Sequence, residues 1–322
     1  MAAAGCDYAA RNLSIQMGPD LHDPADVIED HGSRSGPVPR REFVRGVSLS
    51  TVGFGGLMLV GLGRPQAERL VSASIDRGVN YFDVSPSYGG GVAEQMLGQA
   101  LRSCRQRIFL SCKTLERSAD GARRELEDSL RRLRTDTIDL YQFHAVNRKL
   151  DVEKIFGIGG AMETFLRARE QGLVRCLGFS SHSVPIALAL LDRFPFDSIL
   201  FPVNYVCYAR GNFGPQVLER ARALGVARVG LKALALTPWP NTGTRTYGNC
   251  WYRPIDDPEL ALQAMRFSLS EDVISIFPPA DERLYLMVLA LAPLVTPLTA
   301  EEKRRLFDSA SGLKPIMTSK RR

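Results

Sequence analysis

The stretch "NYFDVSPSYGGG", Asn80 to Gly91, decides how the chain is read. Its first five residues have the aromatic and apolar content of a buried strand, yet an aspartate stands among them at position 83. Tyr88 follows five residues later, with three glycines behind it. A carboxylate closing an apolar strand is either solvated at the strand end or held there for chemistry. The neighbouring segments decide between the two.

From residue 47 short apolar runs alternate with amphipathic helical stretches. The strand candidates are Val47–Phe54, Val79–Val84, Ile108–Cys112, Ile138–Phe143, Val174–Phe179, Ile199–Val203, Ala227–Leu231 and Val273–Phe277. Helical patterns lie between them at Pro65–Arg77, Ala93–Arg102, Ala122–Leu133, Gly160–Gln171, Pro185–Arg193, Gln216–Leu224 and Pro258–Ser270. Units of about thirty residues predict an α/β fold, a (β/α)8 TIM barrel forming a single domain. A doubly wound sheet is the alternative, and it needs a glycine-rich fingerprint after its first strand. "GFGGLM" and "GIGGAM" both place Met where the third glycine belongs.

The strand ends carry the functional signal. The second strand ends at Asp83, the third at Lys113 in "IFLSCK", the fourth at His144 in "IDLYQFH", at spacings of 30 and 31 residues. In a barrel these ends share one rim, where active sites of this fold lie. Tyr88 falls on the loop over that rim. Singly, each residue has an ordinary structural reading; together they have a chemical one. A free phenol has a pKa of about 10, too high for proton exchange near neutrality. A nearby ammonium favours the phenolate, a carboxylate keeps the ammonium charged, and an imidazole can orient a carbonyl oxygen. Such a set delivers a proton to a carbonyl, and a cofactor must then bring the hydride.

The rest of the composition narrows the class. The chain has 322 residues, 45% hydrophobic and 24% charged, with net charge +6. Arginines at 102–107, 123–134 and 320–322 follow helical spacing among leucines and glutamates, so no nucleic-acid partner is expected. No apolar run is long enough for a membrane span. Six cysteines without a Cys-x-x-Cys pair, and four histidines, give no metal framework and fit a reducing cytoplasm. Residues 1–40 are rich in Pro, Gly and Asp and are expected to form a disordered N-terminal arm. Residues 41–307 form the barrel and 308–322 a mobile basic tail. Arg40-Arg41-x-Phe43-Val44 looks like a twin-arginine export signal, but a strand and turn is the favoured reading because no cleavage site follows. Thr299 and Glu302 form a capping box that opens a last helix. The segment Thr237–Asp257 reads either as a lid over the rim, lined by Trp239, Tyr247, Trp251 and Tyr252, or as a loop packing its own aromatics.

From about Arg41 to Phe307 the chain resembles the aldo/keto reductases. "RGVNYFDVSPSYGGGVAEQMLGQAL", with Asp83, Tyr88, Glu94 and Gly98, is similar to the family's strand-two signature. "IFLSCKT", "SLRRLRTDTIDLYQFH" and "GLVRCLGFSSHS" are similar to its third, fourth and fifth strand units. The resemblance implies a catalytic set of Asp83, Tyr88, Lys113 and His144, with Tyr88 as general acid in the reduction of a small-molecule aldehyde or ketone. It implies NADPH as cofactor, with NADH the alternative, extended across the rim. Cofactor contacts are then expected from Gly55, Gly56, Asp83, Ser180, Ser181, Asn204 and Lys232, with Arg283 for the adenosine 2′-phosphate. Ser181 stands where many members have asparagine, Leu200 where many have glutamine, and "FPPADERLY" departs from the usual small loop. The rival reading is an idle barrel that binds the dinucleotide as a redox sensor or regulatory subunit.

Overall fold

The computed structural model describes residues 36–319. Most of the arm expected at 1–40, residues 1–35, and the last three residues of the basic tail lie outside the described residues.

Strands β1 (Arg40–Val44) and β2 (Val47–Ser50) form an antiparallel hairpin turned at Gly46, whose φ is 82°. Phe43 and Leu49 of this hairpin pack with Tyr81, Phe109, Leu140 and Ile274 from the strand beginnings, which closes the barrel floor. Arg41 donates to the Leu269 and Val273 carbonyls at 2.6 Å each. The single strand expected at Val47–Phe54 is therefore two. Its first half belongs to the hairpin, and only β3 (Phe54–Gly55) enters the barrel.

The chain then runs through α1 (Arg64–Asp76), β4 (Tyr81–Asp83), α2 (Val92–Ala100), β5 (Phe109–Thr114), α3 (Ala119–Leu133) and β6 (Ile138–Phe143). Next come α4 (Lys149–Phe156), α5 (Ala161–Glu170), β7 (Val174–Ser180), α6 (Val184–Arg193), β8 (Ser198–Pro202), α7 (Tyr205–Gly211) and α8 (Pro215–Ala223). The last third holds β9 (Ala227–Leu231), β10 (Ala235–Pro238), β11 (Tyr252–Pro254), α9 (Pro258–Ser270), β12 (Ser275–Ile276), α10 (Glu282–Leu291) and α11 (Ala300–Ser309). Eight parallel strands, β3 to β9 and β12, neighbour one another in chain order. Gly53 N–H donates to Ile276 O, and Ile276 N–H to Thr51 O, both at 2.9 Å, so the first and last strands meet and the barrel closes.

The helices follow from their periodicity. In α3 Ala122, Leu126, Ser129 and Leu133 are buried, a stripe at spacings of 4, 3 and 4, while Arg123, Arg124, Glu127 and Arg131 face water. Burying Leu126 and Leu133 contributes roughly 1.5–3 kcal/mol each. Ser118 caps the helix by accepting the Gly121 amide at 3.2 Å. The capping box of Thr299 and Glu302 is formed at α11. In the strands, alternation divides the two faces: Leu110 and Cys112 of β5 point to the helices, Phe109 to the lumen.

Beyond α11, Leu313, Ile316 and Met317 lie half-buried against the core, and Ser319 N–H donates to Gly211 O at 2.8 Å. Among the described residues no helix is long and apolar enough to cross a membrane.

Candidate active site

Strand register brings the polar strand ends together. Asp83 on β4 sits opposite Ser111 on β5, and Lys113 opposite Gln142 on β6. Residues two apart on a strand share a face, so Ser111 and Lys113 both reach the lumen above Phe109. Asp83 is 4% exposed and Lys113 1%. The Lys113 ammonium donates to Asp83 Oδ2, to Val84 O at 3.2 Å and to Tyr88 Oη at 3.4 Å. Asp83 Oδ1 accepts the Ser111 hydroxyl and Gln142 Nε2, the latter at 3.2 Å. A buried ion pair is tolerated only when its remaining hydrogen-bonding groups are matched in this way.

The electrostatics follow from burial and these partners. Burial alone pulls the Lys113 ammonium down, but Asp83 and then Tyr88 more than reverse this and hold it above the ordinary lysine value. Burial pushes the Tyr88 phenol up; Lys113 pulls it back, and Asp83 opposes Lys113. The net direction is upward, so the lowering expected from the ammonium is present but outweighed. Tyr88 therefore carries its proton at neutral pH.

His144 completes the set. Its ring meets that of Tyr88 edge-on, with centroids 5.9 Å apart. Its amide donates to Thr114 O at 2.8 Å, and its carbonyl accepts Arg117 Nη2 at 2.7 Å. Burial, then the charges of Lys113, His182, Arg117 and Lys232, hold its pKa well below that of an ordinary histidine. The imidazole is neutral.

Gly89, Gly90 and Gly91 have φ of 62°, 62° and 93°. The run is a tight left-handed turn leading from Tyr88 into α2; side chains other than glycine are strained there. Glu94 and Gly98 of the same signature serve packing. Glu94 is buried and paired with Arg132 at 3.1 Å, and a Cβ at Gly98 would lie 2.6 Å from the α3 backbone.

The expected cofactor residues divide by what already engages them. Gly56 lies where β3 crowds β4: an added Cβ would come 2.8 Å from Val84 Cγ2 and 3.1 Å from Asp83 O. Gly55 precedes it at the rim. The Ser180 hydroxyl accepts the Ala145 amide at 2.8 Å, next to His144, and keeps its own hydrogen for donation. Ser181 is engaged with Asn147 and Ser183 at 3.1–3.4 Å. Asn204 is buried and occupied at both ends of its amide. Nδ2 donates to Lys232 O at 3.0 Å and Ala235 O at 2.6 Å, while Oδ1 accepts Cys207 N–H at 3.0 Å and caps α7. It thereby braces Lys232, whose φ is 61°.

The segment 237–257 makes contacts of its own and contacts with the rim. Trp239 donates to Cys250 O at 2.7 Å and Tyr247 to Asp256 Oδ2 at 3.1 Å, inside the loop itself. Trp251 and Tyr252 reach back to the rim, their rings 5.5 and 5.1 Å from the Lys232 ammonium. A polar cavity of 240 Å³ lies within the loop, lined by Thr244, Arg245, Tyr247, Arg253 and Asp256 among others. Arg283 sits beside it, stacked on Tyr247 at 4.8 Å and paired with Asp281 at 3.1 Å. It belongs with the 237–257 segment and not with the Asp83–His144 cluster.

Sequence reading overlooked Ser111 and Gln142, although each lies two residues before a residue it did single out. It overlooked Ser85, Arg117 and His182 as well. His182, on the turn after β7, is held at about 4 by burial and then by Lys232.

The model of the aldo/keto reductase family matches residues 51–247. The aldo-keto reductase YhdN of Bacillus subtilis is 31% identical over 170 residues, 49% of this chain and 50% of that protein. The chain spans about half the length of the curated relatives it matches. An aldo-keto reductase from Bacillus halodurans, solved in its holo form, aligns with a TM-score of 0.68 at 25% identity, covering 88% of this chain and 99% of that one. An aldo/keto reductase from Klebsiella pneumoniae, solved with NADP and acetate, shares the fold with a TM-score of 0.62 at 20% identity, over 85% and 95% of the two chains. With a family model covering most of the barrel and the same architecture, the chain belongs to the aldo/keto reductase family.

Proposed function

We propose that the chain catalyses the reversible, NAD(P)H-dependent reduction of a small-molecule aldehyde or ketone to an alcohol, with Tyr88 as the general acid. The observation that carries this reading is the buried chain from Asp83 through Lys113 to the Tyr88 hydroxyl, next to a neutral His144. Tyr88 holds its proton until a substrate oxygen draws it away. The phenolate then left is stabilised by the ammonium 3.4 Å from it. Asp83 keeps that ammonium charged and fixed. His144 offers a ring N–H to the same oxygen and so orients it.

The bound dinucleotide, NADPH with NADH as the alternative, supplies the two electrons as hydride. Its hold on the chain is proposed for Ser180 and Lys232, whose hydroxyl and ammonium suit an amide and a phosphate. Gly55 and Gly56 give the backbone room for its approach. Arg283 suits a 2′-phosphate provided it exchanges Asp281 for it. NADP in the Klebsiella pneumoniae relative supports the choice. A cytoplasmic setting is proposed from the cysteines, which are free thiols at all five described positions.

The test is dinucleotide consumption by the full chain against a panel of aldehydes and ketones, with NADPH and NADH each supplied. Turnover with one of them supports the reading. Binding of dinucleotide without turnover across the panel contradicts it and favours a sensor.

A further inference from the structure

A neutral imidazole carries hydrogen on only one of its two nitrogens, and the bond made by the other sets which. For His144 this decides whether the ring donates to a substrate oxygen or merely accepts. Nδ1 faces the Ser85 hydroxyl at 3.0 Å and the Ser87 hydroxyl at 3.5 Å. Ser85 is wholly buried, whereas Ser87 is exposed. Their two hydroxyl oxygens lie 2.9 Å apart, and Ser85 Oγ also accepts the Ser87 amide at 3.4 Å.

A serine hydroxyl has one hydrogen and two acceptor positions. On Ser85 the Ser87 amide takes one acceptor position, and the Ser87 hydroxyl can take the other. The Ser85 hydrogen is then directed at Nδ1. Ser87, open to water, regains its own bonds there. The opposite direction, with Nδ1–H donating to Ser85, leaves Nε2 without a hydrogen, so the ring could only accept from a substrate. The turn that holds these groups is tight: Val84 N–H donates to Ser111 O and Tyr88 N–H to Ser85 O, each at 3.0 Å. Ser85 and Tyr88 are thus fixed on one turn, and both meet the His144 ring.

We propose that Ser85 is a positioning residue that fixes His144 as the Nε2–H tautomer, so that the ring presents a donor to the substrate oxygen. The claim rests on the carbonyl-reductase reading of the same site. Its readout does not depend on that activity.

The experiment uses the full chain with isotopically labelled histidine and long-range proton–nitrogen correlation spectra, recorded without dinucleotide or substrate. The chain has only four histidines, and His144→Gln identifies the relevant signal. Wild type is expected as the Nε2–H form. In Ser85→Ala the Nδ1–H form becomes populated, and kcat falls about tenfold with the KM for dinucleotide unchanged, the scale of one lost hydrogen bond. Ser85→Thr, which keeps the hydroxyl, restores the wild-type pattern. An Nδ1–H wild type, or a Ser85→Ala spectrum still purely Nε2–H, overturns the proposal. If Ser85→Ala does not fold, the wild-type spectrum decides. A wild type without turnover overturns the functional reading, and the spectrum still decides the tautomer.

Discussion

The Lys113 ammonium lies 3.4 Å from the Tyr88 hydroxyl, and through it a buried ion pair reaches the rim. Lys113 is on β5 and Tyr88 on the loop after β4. They meet because these strands are hydrogen-bonded neighbours and Asp83 lies opposite Ser111. The ammonium has three hydrogens, and all are directed: one to the carboxylate, one to the Val84 carbonyl, one to the phenol.

Removing one member of the pair leaves the other charged and buried. Lys113→Met is expected to lower the unfolding free energy by about 3–5 kcal/mol and turnover by more than about a hundredfold. Adding Asp83→Asn should return much of the stability and none of the turnover. Urea unfolding at neutral pH measures the first, dinucleotide oxidation the second. Equal stability of single and double variants would mean that the two charges are not coupled.

Acid sensitivity should trace to the rim histidines. Unfolded histidine titrates near 6.5, whereas burial and then Lys232 hold His182 at about 4. Between these values the unfolded chain binds a proton that the folded chain does not. Stability from this group is present above about 6.5 and is lost as pH falls towards about 4. His144 acts in the same direction. His182→Gln should flatten the fall of urea midpoint between about pH 6.5 and 4.5; an unchanged slope contradicts the assignment.

Cofactor preference should respond to Asp281 as well as to Arg283. Arg283→Ala is expected to weaken NADPH by about tenfold and NADH by less than about twofold. Asp281→Asn, which keeps a good cap on α10, releases the guanidinium and should tighten NADPH selectively. Calorimetric titration with both dinucleotides separates the cases. Equal loss of both in Arg283→Ala removes it from the 2′-phosphate site.

The glycine turn after Tyr88 gives a simpler prediction. At Gly90 a Cβ meets nothing within 4 Å, so only the φ of 62° opposes a side chain. Gly90→Ala should cost about 1 kcal/mol and Gly90→Asn less, since asparagine tolerates this region. Gly91→Ala should cost more, because its Cβ would also lie 2.9 Å from the Arg132 guanidinium. Thermal unfolding of the three variants checks the order.

What the sequence made legible was what strand geometry enforces. Asp83, Lys113 and His144 were readable because each closes an apolar strand and the strands repeat at barrel spacing. Ser111 and Gln142 were readable by the same two-residue period, but their role appears only when neighbouring strands are put in register. The short helices α4 and α7, of 8 and 7 residues, fall below the window in which helical periodicity can be counted. Arg283 is visible as a cation, but its pairing depends on Asp281 capping α10, a helix outside those the periodicity marks. Asn204 is expected as a cofactor contact only from the family resemblance, close to where many members have glutamine. Its amide is engaged on the carbonyls of the turn after β9, a long-range fit that no local pattern encodes.

The most direct test compares wild type with Tyr88→Phe, a change that removes one oxygen and leaves the ring. Dinucleotide affinity should stay within about twofold, since the hydroxyl binds proton and not cofactor, while carbonyl reduction falls by more than about a hundredfold. Turnover by Tyr88→Phe at a rate near wild type would contradict the account at its centre.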